Sequence, residues 1–451
     1  MEHRSIHPID YRYGTEEMKR IWSTEYRLRK VLEVEAALAK AESFVGLIPK
    51  ESAEKINQQI DSVKLSRVME IEDEIQHDMM AVVLALSEQC GDDGKWVHFG
   101  ATSNDMLDTA TALQIKGSIE IMEKKIKFLL KILLIQAENH KKLVCAGRTH
   151  GQIGVPTTYG LRFAIWASEI ARHIERLYEL KPRLAVGQMT GAVGTQAAFR
   201  GNGIEIQKKT MEYLGINSVE VSNQIIQRDR HAEFVLWMAN TVTTLDKIAI
   251  AIRTLQRTEI AEVEESFGKK QVGSSTMPHK RNPIKSEQIS GLARIVRAMV
   301  MPALENNTLW DERDLTNSSC ERVVFPESCV LTDHILNLGI TVIENLKFHP
   351  ENIIKNLEIL NGLNMGEAVM IELSMKGIGR QKAHELVRVA AMEAYETKKH
   401  FKEVLLNSEV KNYLNEEEIN NLVDPNLYIG TAVVQTENLV KNISSTFFNS
   451  S

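Results

Sequence analysis

The sequence predicts an all-α protein of three helical domains, the central one an elongated bundle of long helices. Three observations predict it. The ten prolines, at positions 8, 49, 156, 182, 278, 283, 302, 326, 350 and 425, leave proline-free spans far longer than a strand needs. Across those spans apolar residues recur at intervals of three and four, the spacing of one helix face. With 451 residues, the chain also exceeds what a single hydrophobic core usually organises. The divisions fall at 1–102, 103–349 and 350–451.

The N-terminal domain opens with a helix predicted over 15–41, where Met18, Ile21, Leu28, Val31, Leu32, Val34, Ala37 and Leu38 keep helical period and Thr15, Glu16 and Glu17 suit a start. Tyr11-Arg12-Tyr13 precedes it. A second helix, over 70–89, carries Glu74, His77 and Asp78 on neighbouring turns. Taken alone, these would form a solvated charged face. Next comes His98-Phe99-Gly100-Ala101-Thr102-Ser103-Asn104-Asp105. Ser103 or Asp105 can cap the helix that begins there, and Thr102 and Ser103 put donors at its positive end, where an anion is favoured.

The central domain starts with that helix, over 105–140, which at 1.5 Å per residue would be about 50 Å long. Leu113, Met122, Ile126, Leu129, Leu130, Leu133 and Leu134 form its apolar face. Further long helices are predicted over 156–180 and 230–267, lengths natural for a bundle. Arg148-Thr149-His150-Gly151-Gln152 lies in a linker flanked by Gly147 and Gly154, and 187–195 reads as glycine-rich turns or a hairpin. The lysine of a phosphate-binding P-loop is missing there. Gln224 sits in an N-cap cluster, Ser222 to His231. Phe234, Leu236, Trp237, Met238 and Leu245 are apolar on more than one face, which requires partners on several sides and predicts a homo-oligomer.

Residues 273–283 read GSSTMPHKRNP. Pro278 and Pro283 each remove a backbone donor, so 273–282 is predicted as a loop. Asn282 then suits an N-cap and Pro283 the first position of a helix marked by Ile284, Ile289, Leu292, Ile295, Val296 and Met299. Two serines, a lysine and an asparagine on one loop could hold a carboxylate while a proton is removed beside it. Farther on, Arg313, Ser318 and Arg322 fall at intervals of five and four. From 350 the chain is more charged, with Gly377-Ile378-Gly379-Arg380 interrupting the pattern before a helix over 382–398. Nothing in that domain announces chemistry.

Composition sets the limits. A net charge of −6 lacks the clustered basic excess that tracks nucleic acid, so an anionic ligand must meet local positive charge. Cys90, Cys145, Cys320 and Cys329 form no CxxC pair and suggest no zinc spacing, and are read as reduced thiols. The start, MEHRSIHPID, has no apolar segment of signal-peptide type, and no run reaches the ~18 apolar residues of a membrane span. A cytoplasmic protein is expected.

The run Ser274-Ser275-x-Met277-Pro278-x-Lys280-x-Asn282 resembles the signature loop of the fumarase, aspartase and argininosuccinate lyase superfamily. With His279, Lys280, Arg281 and Asn282 it resembles the adenylosuccinate lyase branch most closely. So do the Thr149-His150-Gly151-Gln152 run, the Arg12-Tyr13 pair, the arginine, serine and arginine at 313, 318 and 322, and the segment 424–430. The likeness spans almost the whole chain. It implies a homotetramer whose active sites each draw on three chains, and an elimination that releases fumarate from a succinyl-amino purine nucleotide with no metal or organic cofactor. Ser274 would be the base and His150 the acid, oriented by Glu287, with Lys280 and Asn282 stabilising the aci-carboxylate. Arg12 and Tyr13 would bind phosphate. His77, Asp78, His98, Thr102, Ser103, Thr149, Gln224, Ser275, Met277, Arg313, Ser318 and Arg322 would complete the substrate-binding set. Gln288 stands where some relatives carry a substrate-touching arginine, so that contact is not carried over. The superfamily's other members, argininosuccinate lyase and carboxymuconate cycloisomerase among them, are the nearest alternatives.

Overall fold

The computed structural model describes residues 6–268 and 276–448. Helices dominate, and among the described residues strands occur only as three two-stranded sheets, so the fold class is all-α. Tertiary contacts divide the chain into two compact units. One comprises Met1–Ile126, His173–Leu245 and Ile289–Asn337; the other comprises Lys127–Arg172, Asp246–Gln288 and Leu338–Ser451.

In the first unit, the span expected as one helix over 15–41 is two helices, Glu16–Ile21 and Thr24–Phe44. Ser23 divides them because its hydroxyl accepts the Tyr26 N–H at 3.2 Å and so caps a new start. The helix over 70–89 is likewise two, Leu65–Ile75 and Asp78–Cys90. Gln76 turns left-handed at φ 54°, and His77 Nδ1 accepts the Met80 N–H at 3.2 Å. Leu28, Val31, Leu32, Val68, Met79 and Leu86 from these helices share one core with Met106 and Ala110 of the Ser103–Asn139 helix. Residues 187–195 do not form a hairpin. Val186–Gly187 pairs in parallel with Asn217–Ser218 instead.

The second unit holds an antiparallel hairpin, Val144–Thr149 with Gln152–Thr158. This corrects the reading of 148–152 as a linker. His150 (φ 54°) and Gly151 (φ 76°) are both left-handed, the backbone a two-residue turn needs to match strand twist. The register slips between Ala146 and Arg148, and Gly147 is required there because a Cβ would lie 2.4 Å from the Val155 carbonyl oxygen. A separate C-terminal core gathers Met365, Val369, Leu373, Val387, Phe401 and Leu405.

The helix expected over 230–267 ends at Leu255. Neither glycine nor proline stops it; the chain turns so that Val263–Glu264 can pair with Lys347–Phe348, and tertiary pairing overrides propensity. That Asp229–Leu255 helix is also long and apolar enough by composition to cross a membrane, contrary to the sequence expectation that no segment would be. Of its most apolar window 61% is buried inside the protein, so the composition is accounted for by core packing.

Candidate active site

The first unit holds a half-open cavity of about 290 Å³ whose wall includes Arg27, Asp108, Arg228, Arg313, Ser318 and Arg322. The sequence singled out three of these, and local chemistry explains their placement. Asp314 accepts the N–H groups of Trp310 and Thr316, both at 2.8 Å, which fixes the turn carrying Arg313. Ser318 and Arg322 follow on successive turns of the Thr316–Glu344 helix and therefore share a face. Arg313 Nη1 donates to Gln224 Oε1 at 3.2 Å, and its Nε is buried with no hydrogen-bond partner among the described residues.

Beneath them Arg228 is buried and fully engaged. It donates to both oxygens of Asp108 (2.7 and 2.8 Å) and to Glu321 (2.8 Å). Burial alone would favour a neutral guanidine, but the two carboxylates outweigh it and hold Arg228 firmly charged. Arg322 donates to Asp78 at 2.5 Å, and Arg27 stands 3.9 Å from the same oxygen. Burial raises the Asp78 pKa, yet its bonds to Arg322 and the Met79 N–H bring it below the usual carboxylate range. Sequence reasoning missed Arg27, Asp108 and Arg228. Only the interval of four between Asn104 and Asp108, both lining the cavity, could have pointed inward.

The remaining expected residues of this unit lie outside the cavity wall. His98 is held left-handed (φ 60°) by Glu35, which accepts its backbone N–H at 3.1 Å and hydrogen-bonds its Nδ1 at 2.7 Å. Burial opposes charge on the ring, but Glu35 prevails and the His98 pKa is raised. Thr102, not Ser103 or Asp105, takes the N-cap position of the long helix, and Asp105 reaches back to its N–H at 3.0 Å. Asp105 also accepts the N–H groups of Thr190 (2.8 Å) and Gly191 (3.0 Å). The amides of the glycine-rich turn are thus occupied by a protein carboxylate. His77 is exposed at its helix start. The Arg12 guanidinium sits 5.8 Å above the Tyr13 ring, which tilts against His334 at 5.5 Å.

In the second unit, Met277, Lys280, Asn282 and Glu287 line one open cleft with Arg253 and Arg257. Ser274 and Ser275 lie outside the described residues. Gln256 fixes both sides of this stretch, accepting the Glu265 N–H at 2.9 Å and donating to the Arg281 carbonyl at 3.2 Å. The following helix begins at Ile284. Its first N–H groups are taken by Glu265, from Lys285 at 3.2 Å and Ser286 at 2.7 Å, so the cap expected of Asn282 comes from a carboxylate twenty residues upstream.

Thr149 and His150 are exposed at the hairpin turn. The hairpin's root is pinned by Glu262, which accepts from Arg148 Nη2 and the Tyr159 hydroxyl, both at 2.5 Å, and from Asn356 Nδ2 at 3.1 Å. Among the described residues, His150 and Glu287 form no hydrogen bond to each other. The pairing expected between them is not made within the chain.

Two family models match the sequence, one described as lyase over residues 10–298 and one as adenylosuccinate lyase C-terminus over residues 362–439. The chain is 55% identical over 449 residues to an adenylosuccinate lyase of Methanocaldococcus jannaschii, covering 98% of this chain and 97% of that one. It is 55% identical over 442 residues to one of Pyrococcus abyssi, covering 97% and 98%. Among solved structures it is similar to a fumarate lyase from Mesorhizobium sp. BNC1, with a TM-score of 0.89 at 30% identity over 98% of this chain and 99% of that one. A 3-carboxy-cis,cis-muconate lactonizing enzyme from Pseudomonas putida gives 0.90 at 30% over the same shares. With the arginine-walled cavity in one unit and Met277, Lys280 and Asn282 gathered along one cleft in the other, these matches show that the chain belongs to the adenylosuccinate lyase family.

Proposed function

We propose that this protein cleaves a C–N bond without hydrolysis, releasing fumarate from adenylosuccinate to give AMP and from SAICAR to give AICAR. The observation that carries this reading is 55% identity to adenylosuccinate lyases over nearly the whole chain, against 30% to the lactonizing enzyme of the same fold. The cavity arginines agree with it, because a nucleotide brings a phosphate that small amino-acid substrates lack.

In this mechanism Ser274 takes the proton from the carbon beside a carboxylate. The electron pair left behind becomes the new C=C bond, the C–N bond breaks, and His150 protonates the departing nitrogen. A serine is a weak base, so its alkoxide needs nearby donors or a cation. Lys280 and Asn282 stabilise the doubly charged aci-carboxylate while Ser275, Met277 and Thr149 line the succinyl end. Arg313, Ser318, Arg322, Gln224, Asp78, His77, His98, Thr102 and Ser103 hold the nucleotide, and Arg12 with Tyr13 holds its phosphate.

Glu287 orients His150 across a subunit boundary in a homotetramer with shared sites. Two observations support this arrangement: the two residues do not bond within one chain, and the long helices expose Phe128, Ile135, Ile165, Leu236 and Ile250. Three domains at 1–102, 103–349 and 350–451 and a cytoplasmic location belong to the same reading.

Fumarate release by the purified protein tests it. Turnover of adenylosuccinate and SAICAR, with none of argininosuccinate, is expected; no turnover of either succinyl-purine would overturn it.

A further inference from the structure

The cavity of the first unit contains two kinds of arginine. Arg228 spends all three of its nitrogens, on Asp108, on Glu321 and on the Ile226 carbonyl, and is a structural cation. Arg27 is its opposite. Its side chain is only 33% exposed, yet among the described residues its guanidinium donates no hydrogen bond, and its nearest carboxylate oxygen is the Asp78 atom at 3.9 Å that Arg322 already holds at 2.5 Å. A half-buried guanidinium with idle donors is costly unless something else occupies them.

Its surroundings name that occupant. Arg27 lies in the first turn of the Thr24–Phe44 helix, and Ser23 and Thr24 at the helix start line the cavity beside it, so the positive helix end faces the same space. Asp78 is the only carboxylate that hydrogen-bonds any of Arg27, Arg313 and Arg322 among the described residues. Glu72 acts on Arg27, and Asp108, Glu321 and Asp314 on Arg313, only through space, so the three guanidinium groups keep hydrogen-bond donors that suit an anion with several oxygens. A phosphomonoester is a dianion near neutral pH, and its oxygens match guanidinium forks. Burial and the repulsion from Arg322 both lower the Arg27 pKa, as expected of a cation lacking its counter-charge.

We propose that Arg27 is a further substrate-binding residue that joins Arg12 and Tyr13 in holding the phosphate of the nucleotide, and that Asp78 is the internal counter-ion whose place on the arginines that phosphate takes, freeing Asp78 for the rest of the nucleotide. This rests on the reading that the substrate is a succinyl-purine nucleotide. It adds a contact that the family resemblance does not assign, and it makes Arg27 a determinant of nucleotide over nucleoside.

Steady-state rates of the full-length wild type, Arg27→Met and Arg27→Lys, on adenylosuccinate and on its dephosphorylated nucleoside, test the proposal. Arg27→Met is expected to raise KM for the nucleotide about 10- to 100-fold with kcat changed less than about threefold, and to leave kcat/KM for the nucleoside unchanged. Arg27→Lys, which keeps the charge but not the fork, should fall between. Equal losses on both substrates, or no loss on either, overturn it. Calorimetric titration with inorganic phosphate supplies an arm independent of turnover. If Arg27→Met does not fold, weaker phosphate binding by Arg27→Lys supports the proposal and unchanged binding overturns it. A wild type that releases no fumarate but loses phosphate binding on Arg27→Met would refute the proposed reaction while leaving the anion site standing.

Discussion

Glu42 has both carboxylate oxygens buried without a hydrogen-bond partner among the described residues, on the same helix as Glu35. Burial, reinforced by the Glu35 charge, pushes its pKa up to about 9. The folded pKa is therefore raised above the unfolded value near 4.3, so the contribution to stability is complete below about pH 4.3 and is lost as pH climbs toward 9. Glu42→Gln, which cannot ionise, should lie closest to the wild type below about pH 4.3 and gain on it increasingly above, by about 1.4 kcal/mol per pH unit at most. Urea unfolding from pH 4 to 9 measures this, and a gap that stays constant with pH rejects the assignment. At this scale the sequence was only partly legible. His98 announced itself through its motif, but its partner Glu35 lies 63 residues upstream, where no local spacing reveals it. Arg27 was invisible for the same reason: its meaning is an absence of partners, which only coordinates can display.

Among the elements, the hairpin bearing His150 depends on one buried carboxylate. Glu262 is 0% exposed and serves Arg148, Tyr159 and Asn356 together. Glu262→Ala strands a guanidinium that is itself mostly buried, a loss of about 3–5 kcal/mol. Urea melts are expected to show that drop together with reduced turnover, and a change under about 1 kcal/mol would mean the root is held by other contacts. Helix existence was readable from periodicity where the apolar pattern is long, as over 105–140 and 156–180, but the Thr316–Glu344 helix was read only as a spaced set of charges and helix breaks were not read at all. Ser23 and His77 cut predicted helices because capping residues compete locally with continuation, and a capping signal inside an apolar pattern is easily read as a surface residue. The hairpin was missed because its turn uses His-Gly in place of the more usual Asn-Gly or Asp-Gly.

For the whole molecule, the decisive prediction concerns assembly. Ser274→Ala and His150→Ala subunits are each expected to lose at least ~10²-fold in turnover, as removal of an acid–base group does. If sites are shared between chains as proposed, mixed tetramers of the two should regain part of the activity, since some sites then combine an intact serine with an intact histidine. Mixed tetramers, verified to contain both chains, that stay inactive would rule out shared sites. The all-α class followed from proline spacing and helical period, which are properties of composition along the chain. How the chain divides into compact units did not, because each unit is assembled from three separated segments that only folding brings together.

The root of the hairpin also sets a timetable for synthesis. The two strands and their turn are complete as soon as Thr158 has left the ribosome, but Glu262 follows Arg148 by 114 residues and Asn356 follows Glu262 by a further 94. Until that last amide emerges, a nascent chain carries a finished turn on an unfinished foundation.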